Sequence, residues 1–332
     1  MNTLKLPFAT VVVPVYNEQK YILPCIDSLL QQDYPPDKYE ILVVDGHSND
    51  DSVPIIQKLV GQHPNKIRLI DNPDRRTSKA WNLGIENAKG EVILLMSAHG
   101  EAADSYISLC VKYLVEKEVS NVGGIMDTVG KGFWGESIAL ATSNPFGVGN
   151  SKHRYAADEG YDDAGWPGAF WKKTLIEIGG FDENLPMNED DDLNFRLLRH
   201  GHKLFYTSKI RVKYYCRDSL IRLWRQYFRY GYWKSVVIKR YGKVTSLRHF
   251  IPSGFVLSLI LTFLAGALFS LPFTYFLTLI GVYFIFSFLT AIFISIRTKL
   301  YFIFSIPLIF MIIHFSYGLG VLLGIPNLFK YK

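Results

Sequence analysis

The feature that most constrains this chain is where its charges stop. All 30 acidic residues lie before Phe250, and from there to Lys332 the only charged side chains are Arg297, Lys299, Lys330 and Lys332, set between long apolar runs. Three runs, roughly Ile251–Leu271, Phe273–Ile296 and Leu300–Gly324, are each long enough at 1.5 Å per residue to cross a hydrocarbon core of about 30 Å. Pro272 marks the first turn between them and Arg297-Thr298-Lys299 the second. A chain whose apolar content is concentrated this way is not purely soluble, and it is not disordered, collagen-like or a disulfide scaffold. Residues 250–332 are expected to form a membrane domain of about three transmembrane helices, making the protein a multi-pass protein of the cell membrane. The positive-inside bias puts the second turn, and the domain before residue 250, in the cytoplasm. Three crossings would leave Lys330 and Lys332 outside, against the same bias, so a re-entrant or hairpin arrangement of the last run stays open.

Residues 1–249 hold 36 − 4 = 32 basic residues against 30 acidic ones. The balance is uneven: Arg217 to Lys243 contains eight Lys/Arg against Asp218 alone, interleaved with Trp224, Tyr227, Phe228, Tyr230, Tyr232, Trp233 and Tyr241. Aromatic rings among cations could stack nucleic acid bases. Immediately before a membrane run they read instead as an interfacial segment over 217–249, with rings at headgroup depth and Arg/Lys on lipid phosphates; membrane lipids are the expected partner and nucleic acid is not. Cys25, Cys110 and Cys216 are odd in number, far apart and in no metal spacing, which reads as reduced thiols of a cytoplasmic domain. Phe8–Val15 is too short and too abruptly polar at its end for a signal peptide and reads as a buried strand.

From Ala9 to Ser97 short aliphatic runs (Thr10–Val13, Glu40–Asp45, Ile67–Asp71, Glu91–Ser97) alternate with amphipathic stretches such as Tyr21–Gln32, Ser52–Gly61 and Ser78–Ala88. This βαβα order predicts an α/β fold with a mostly parallel, doubly wound sheet, whose ligands bind outside the carboxyl ends of the strands. Tyr16-Asn17-Glu18, Asp45-Gly46-His47-Ser48 and Ser97-Ala98-His99 stand at three such ends. The glycine loops that cradle phosphates are missing. Carboxylates at the first two ends suit a base N–H or a ribose hydroxyl, so the pattern points to a nucleotide gripped by its nucleoside, with a cation for its diphosphate. Glu189 to Asp192 would open a helix running to His200, where the dipole favours negative charge. His314, inside the third run, is either a functional intramembrane group or a helix-to-helix hydrogen bond; His47, His63, His153, His200, His202 and His249 have no comparable placement.

Pro14-Val15-Tyr16-Asn17-Glu18, Val44-Asp45-Gly46-His47-Ser48-Asn49-Asp50, Asn72-Pro73 with Ser78 and Asn82-x-Gly84, Gly179-Gly180-Phe181-Asp182-Glu183, and Glu189-Asp190-x-Asp192-Leu193 with Arg196 together resemble the family 2 inverting glycosyltransferases. The wording of the second motif, His99, and the segment Gln226 to Gly231 before a membrane tail look most like the bacterial succinoglycan-type, membrane-anchored glucosyltransferases. The resemblance implies a GT-A catalytic domain over about 1–216 with a Rossmann-like mixed sheet. It implies inverting transfer of a hexose from a nucleotide sugar, in the first instance a UDP-sugar, to a sugar carried on a polyprenyl diphosphate. Pro14, Tyr16, Glu18, Asp45, Ser78 and Asn82 would line the nucleotide site. Asp190 would be the general base, and Glu189, Gln226, Arg229 and Tyr230 would face the diphosphate and acceptor. Where the family has Asp-x-Asp for its divalent ion, this chain has Ser97-Ala98-His99. His99 is then the expected metal ligand, or failing that a direct cationic partner of the donor diphosphate; as a ligand it tilts the cofactor toward Mn²⁺ over Mg²⁺, with Glu101 as a compensating carboxylate. A polyprenyl-phosphate glycosyl synthase and a catalytically silent nucleotide-binding membrane protein are the alternatives; a processive synthase fits less well with so few spans.

Overall fold

Strands that are apolar on both faces need helices on both sides, and the first half of the chain supplies them. The computed structural model describes residues 6–163, 165–241, 250–269 and 272–325; Lys243, His249, Lys330 and Lys332 lie outside the described residues. Strands β1 (Ala9–Val15), β2 (Tyr39–Asp45), β3 (Ile67–Asp71) and β4 (Val92–Leu95) alternate with helices α1 (Ile22–Leu30), α2 (Ser52–Gln62) and α3 (Thr77–Asn87). There follow β5 (Gly100–Ala102), α4 (Tyr106–Glu116), β6 (Asn121–Val129), α5 (Gly132–Thr142), α6 (Pro145–Val148), β7 (Glu159–Tyr161), β8 (Gly168–Trp171), α7 (Lys172–Glu177), α8 (Glu189–Arg199) and β9 (Leu204–Tyr215). The described strands join in one mixed sheet ordered β3-β2-β1-β4-β8-β6-β9-β5, with β7 on β9. Pairings among β1 to β4 are parallel, in register Val15 to Asp45 to Asp71, and β8 enters antiparallel beside β4. This is the GT-A arrangement that the family resemblance implied.

Alternate residues of β1 serve opposite faces. Val11, Val13 and Val15 pack with α1, α2 and α4 through Ile22, Ile26, Ile56 and Ile107, and Val12 packs with α3 and α8 through Trp81, Ile85, Leu193 and Leu197. Gly84 explains how closely α3 sits: a Cβ there would fall 2.2 Å from Val12 Cγ1. The order of β1 to β4 reverses direction at β1, where the chain first winds outward to β2 and β3 and then returns to place β4 on the other flank. That switch point opens a crevice at the strand ends.

The chain divides into two compact units, one of residues 1–127 with 155–215 and the other of 128–154 with 216–332. Residues 128–154, which the sequence left inside the catalytic domain, therefore belong to the second unit. That unit contains α5, α6, α9 (Leu220–Tyr241), α10 (Ile251–Phe269), α11 (Thr274–Arg297) and α12 (Ser305–Gly324). Its apolar cluster joins Ile138, Leu223, Ala291, Phe302, Ile306 and Phe310. Three helices, in Ile251–Leu268, Thr274–Arg297 and Leu300–Gly324, are long and apolar enough to cross a membrane. His314 is a helix-to-helix link: its Nδ1 is 3.0 Å from Tyr283 Oη on α11, and its Nε2 is 2.8 Å from the Phe146 carbonyl.

Candidate active site

The loops after β1 and β2 are tied to each other. Asp45, buried at the end of β2, accepts from Ser48 twice, from its hydroxyl at 2.6 Å and its amide at 3.1 Å. The Ser48 hydroxyl accepts from the Asn17 amide, Asn17 Oδ1 accepts from the Asn49 amide, and Ser52 Oγ accepts from the Glu18 amide at 2.8 Å. Asn17 and His47 hold left-handed backbone, φ 56° and 57°, a conformation Asn and His tolerate better than most residues. Tyr16 leaves this clasp 45% exposed, with the Arg75 guanidinium 5.7 Å from its ring centre. His47, set aside on sequence grounds, pairs with Asp71 at the end of β3, 2.8 Å away.

Across the switch point, Glu18 meets His99. Glu18 Oε1 lies 3.0 Å from His99 Nδ1, both side chains being less than one-fifth exposed. An ionised carboxylate only accepts, so Nδ1 carries the hydrogen, and in the neutral imidazole Nε2 then presents its lone pair. Ser97 Oγ is 3.2 Å from Nε2, and the Tyr214 ring packs edge-on at 4.9 Å. Glu18 was expected to contact the nucleoside; in the structure its carboxylate faces the imidazole. Glu101 does not supply a second carboxylate to this corner. It accepts from Lys213 Nζ at 2.7 Å and Tyr215 Oη at 2.5 Å, across the β5–β9 pairing, and its hydrogen bonds hold both groups above their ordinary pKa values. Cys25 Sγ donates to the Ser97 carbonyl at 3.6 Å; burial, reinforced by the Glu18 charge, pushes this thiol far up and makes it a packing group.

Asn82 and Ser78 were likewise expected at the nucleotide site. Asn82 donates to the Phe181 carbonyl at 2.9 Å and to Glu183 Oε1 at 2.8 Å, and accepts from the Phe181 amide at 2.8 Å. It clamps the loop that precedes α8, and Gly180, at φ 66°, is required there because a Cβ would meet Asn82 Oδ1 at 2.6 Å. Ser78 is buried, with no hydrogen-bond partner for its hydroxyl among the described residues. Pro14 lies within β1, opposite Val44.

The same loop is held from its other side by Arg196 of α8, whose guanidinium donates to the Ile178 and Gly180 carbonyls at 2.7 Å each and to Asp192 at 2.8 Å. The acidic run thus resolves into different tasks. Asp192 is fully buried and structural, whereas Asp190 is exposed and accepts from the Asp191 amide at 2.9 Å. Glu189 is half-buried one position earlier. Gln226, Arg229 and Tyr230 lie on α9 in the second unit, where Gln226 Nε2 donates to Tyr230 Oη at 3.0 Å. Among the described residues no three His, Cys, Asp or Glu side chains gather as a metal cluster. The strand-end donors are the pair His99 and Glu18.

Comparison with known proteins points one way. The model of the glycosyl transferase family 2 domain matches residues 10–170. A dolichyl N-acetylglucosaminyl phosphate diacetamido-dideoxy-glucuronosyltransferase of Methanococcus voltae is 29% identical over 79% of this chain and 83% of its own. The succinoglycan biosynthesis protein ExoA of Rhizobium meliloti is 29% identical over 73% of each chain. Among solved structures, the mannosyltransferase PcManGT of Pyrobaculum calidifontis, in complex with GDP-mannose and Mn²⁺, superposes with a TM-score of 0.65 at 19% identity, over 94% of this chain and 87% of that one.

Proposed function

Since the chain belongs to glycosyl transferase family 2 and is a glycosyltransferase of glycan biosynthesis, we propose that it transfers a hexose, with inversion, from a nucleotide sugar to a saccharide carried on a polyprenyl diphosphate. A UDP-sugar is the first donor to test. The observation that carries this reading is the strand-end constellation: Tyr16 and Asp45 at one end of the switch-point crevice, His99 braced by Glu18 at the other, and a helix bearing Asp190 locked to α3 through Asn82 and Arg196. The relatives support a lipid-linked saccharide acceptor, one being named for a dolichyl sugar phosphate substrate and another for a polysaccharide. The apolar helices associate the chain with a membrane; in this reading it is a multi-pass protein with its catalytic unit in the cytoplasm, where nucleotide sugars are made.

Inversion is a single displacement at the anomeric carbon. It needs a base on the acceptor hydroxyl and stabilisation of the departing diphosphate on the opposite side. Asp190 is the base. The exposed Tyr16 ring and the Asp45 carboxylate suit the nucleoside. His99 and Glu18 fit a divalent cation in the mode such ions adopt with nucleotides, in which the protein gives one or two ligands and phosphates and water complete the shell. When bound, that ion would offset the charge growing on the diphosphate. His99 would hold it through Nε2 while Glu18 fixes the ring tautomer, the usual carboxylate–histidine arrangement of metal sites.

Release of nucleoside diphosphate, measured over a panel of nucleotide sugars with a lipid-linked acceptor extract, tests the reaction; no release with any donor refutes it. The cation reading has its own test. Imidazole suits first-row ions better than Mg²⁺, so wild type should reach half-maximal rate at lower Mn²⁺ than Mg²⁺. Glu18→Gln should raise the Mn²⁺ requirement about 10–100-fold, and His99→Ala at least as much. Wild-type titrations in both variants would make His99 a bystander. Binding of Mn²⁺ with UDP, followed by electron paramagnetic resonance, reads the same loss independently of turnover.

A further inference from the structure

The third apolar run has the length and hydropathy of a membrane span, yet its surroundings differ from those of the other two. Of an 18-residue stretch within Leu300–Gly324, 56% is buried inside the protein, against 17% of Ile251–Leu268 and 22% of an 18-residue stretch within Thr274–Arg297. Much of that cover is α9. The two helices run side by side in the same direction: Gly231 sits on the Tyr317 carbonyl, Gly320 on the Phe228 carbonyl and Gly324 on Ser235 Oγ, each so closely that an added Cβ would fall 2.2 Å from the oxygen. Nearer their starts, Leu223 shares one apolar cluster with Ile306 and Phe310. Contact therefore extends along most of both helices.

Along that length α9 exposes Arg222, Arg225, Arg229, Lys239 and Arg240. Carrying α12 across the hydrocarbon core would carry these cations with it, at a depth where charged side chains are strongly disfavoured. The other flank of α12 is fixed as well. Lys299 pairs with Glu136 at 3.0 Å, Ser305 bonds Ser137 at 2.8 Å, and His314 Nε2 reaches the Phe146 carbonyl. These partners sit on α5 and α6, helices of 11 and 4 residues, too short to cross a bilayer. The hairpin of α10 and α11 has the opposite character. Around its turn, Leu261, Phe263, Leu268, Phe273, Tyr275 and Leu277 are exposed, and no charged residue occurs from Ile251 to Ile296.

We propose that α9 and α12 lie together in the headgroup region of an anionic bilayer, as one platform on the side of the N-terminal unit, and that only the α10–α11 hairpin crosses. The exposed α9 cations meet lipid phosphates. Arg297, Lys299, Lys330 and Lys332 then fall on a single side of the membrane, which removes the conflict that three crossings create with the positive-inside bias. The proposal rests on the membrane association stated above and adds the number of crossings to it.

The test uses full-length protein in sealed vesicles of both orientations, with a protease-sensitive epitope before residue 1, at Pro272, or after residue 332. The two terminal epitopes should be cleaved in the same vesicle orientation and the Pro272 epitope only in the other. Cleavage of the C-terminal epitope together with Pro272 means a third crossing and overturns the proposal. Cleavage of all three in one orientation means that the hairpin does not cross, and overturns it too. Tyr275→Cys and Ile325→Cys, both at exposed positions, labelled with an impermeant maleimide in a Cys216→Ser background, answer the question without inserted sequence: labelling in opposite orientations supports the platform, and labelling in the same orientation refutes it. These comparisons are relative, so they hold whichever compartment the N-terminal unit occupies. The cytoplasmic assignment fails separately if the N-terminal epitope is cleaved from outside.

Discussion

Asp190→Asn should abolish transfer while leaving nucleotide-sugar binding nearly intact. The amide keeps the size of the side chain, and its carbonyl oxygen can still accept from the Asp191 amide, so the first turn of α8 is preserved. What is lost is the capacity to take the acceptor's proton. General-base catalysis contributes typically about 10²–10⁴-fold, and the fall in kcat should lie in that range. The group is exposed at the start of α8, so the substitution leaves no buried polar atom behind, and thermal unfolding should match wild type. Retention of more than roughly a third of the wild-type kcat, far outside the range for a general base, would place the base elsewhere; Glu189, half-buried one position earlier, would be tested next.

How much of this site could be read from the sequence depends on whether a residue's task is local. The parallel strands and their helices were legible because apolar residues recur on both strand faces and turn residues punctuate them. Tyr16, Asp45 and His99 stand at strand ends, as the sequence placed them, and strand ends are where such sheets bind ligands. The pairing of Glu18 with His99 was not legible, since the two are 81 residues apart and meet only because the chain returns to set β4 beside β1. Glu101 failed for the same kind of reason: Lys213 and Tyr215, which satisfy it, arrive with β9 more than a hundred residues later. Asn82 is polar and sits on a helix after a strand, which suits a nucleotide contact; its hydrogen bonds to the loop before α8 join residues 99 positions apart and were not legible. The third apolar run exposes a limit of hydropathy itself. A helix wrapped by protein and a helix wrapped by lipid carry the same kind of side chain, and α12 differs from α10 in what covers it.

Asp192→Ala should damage stability as severely as Asp190→Asn damages catalysis, although the two acids are separated by one residue. Asp192 is 0% exposed and receives Arg196 Nε at 2.8 Å, while the other guanidinium nitrogens donate to the Ile178 and Gly180 carbonyls. Removing the carboxylate leaves a largely buried cation held by two neutral carbonyls, and breaking a buried pair from one side costs about 3–5 kcal/mol. For a unit of this size that corresponds to a fall in Tm of about 6–20 °C, measurable by thermal unfolding in detergent. Activity should fall with it, because Arg196 fixes the loop that orients α8 and hence Asp190. Asp192→Asn, which keeps an acceptor for Nε, should cost less, and Asp192→Ala combined with Arg196→Met should recover part of the loss, since an apolar pair leaves no unmatched charge. A Tm within two or three degrees of wild type for Asp192→Ala, well short of that expected fall, would mean that Arg196 does not depend on this carboxylate. The positioning of Asp190 would then have to come from Asn82 and its clamp on Phe181 alone.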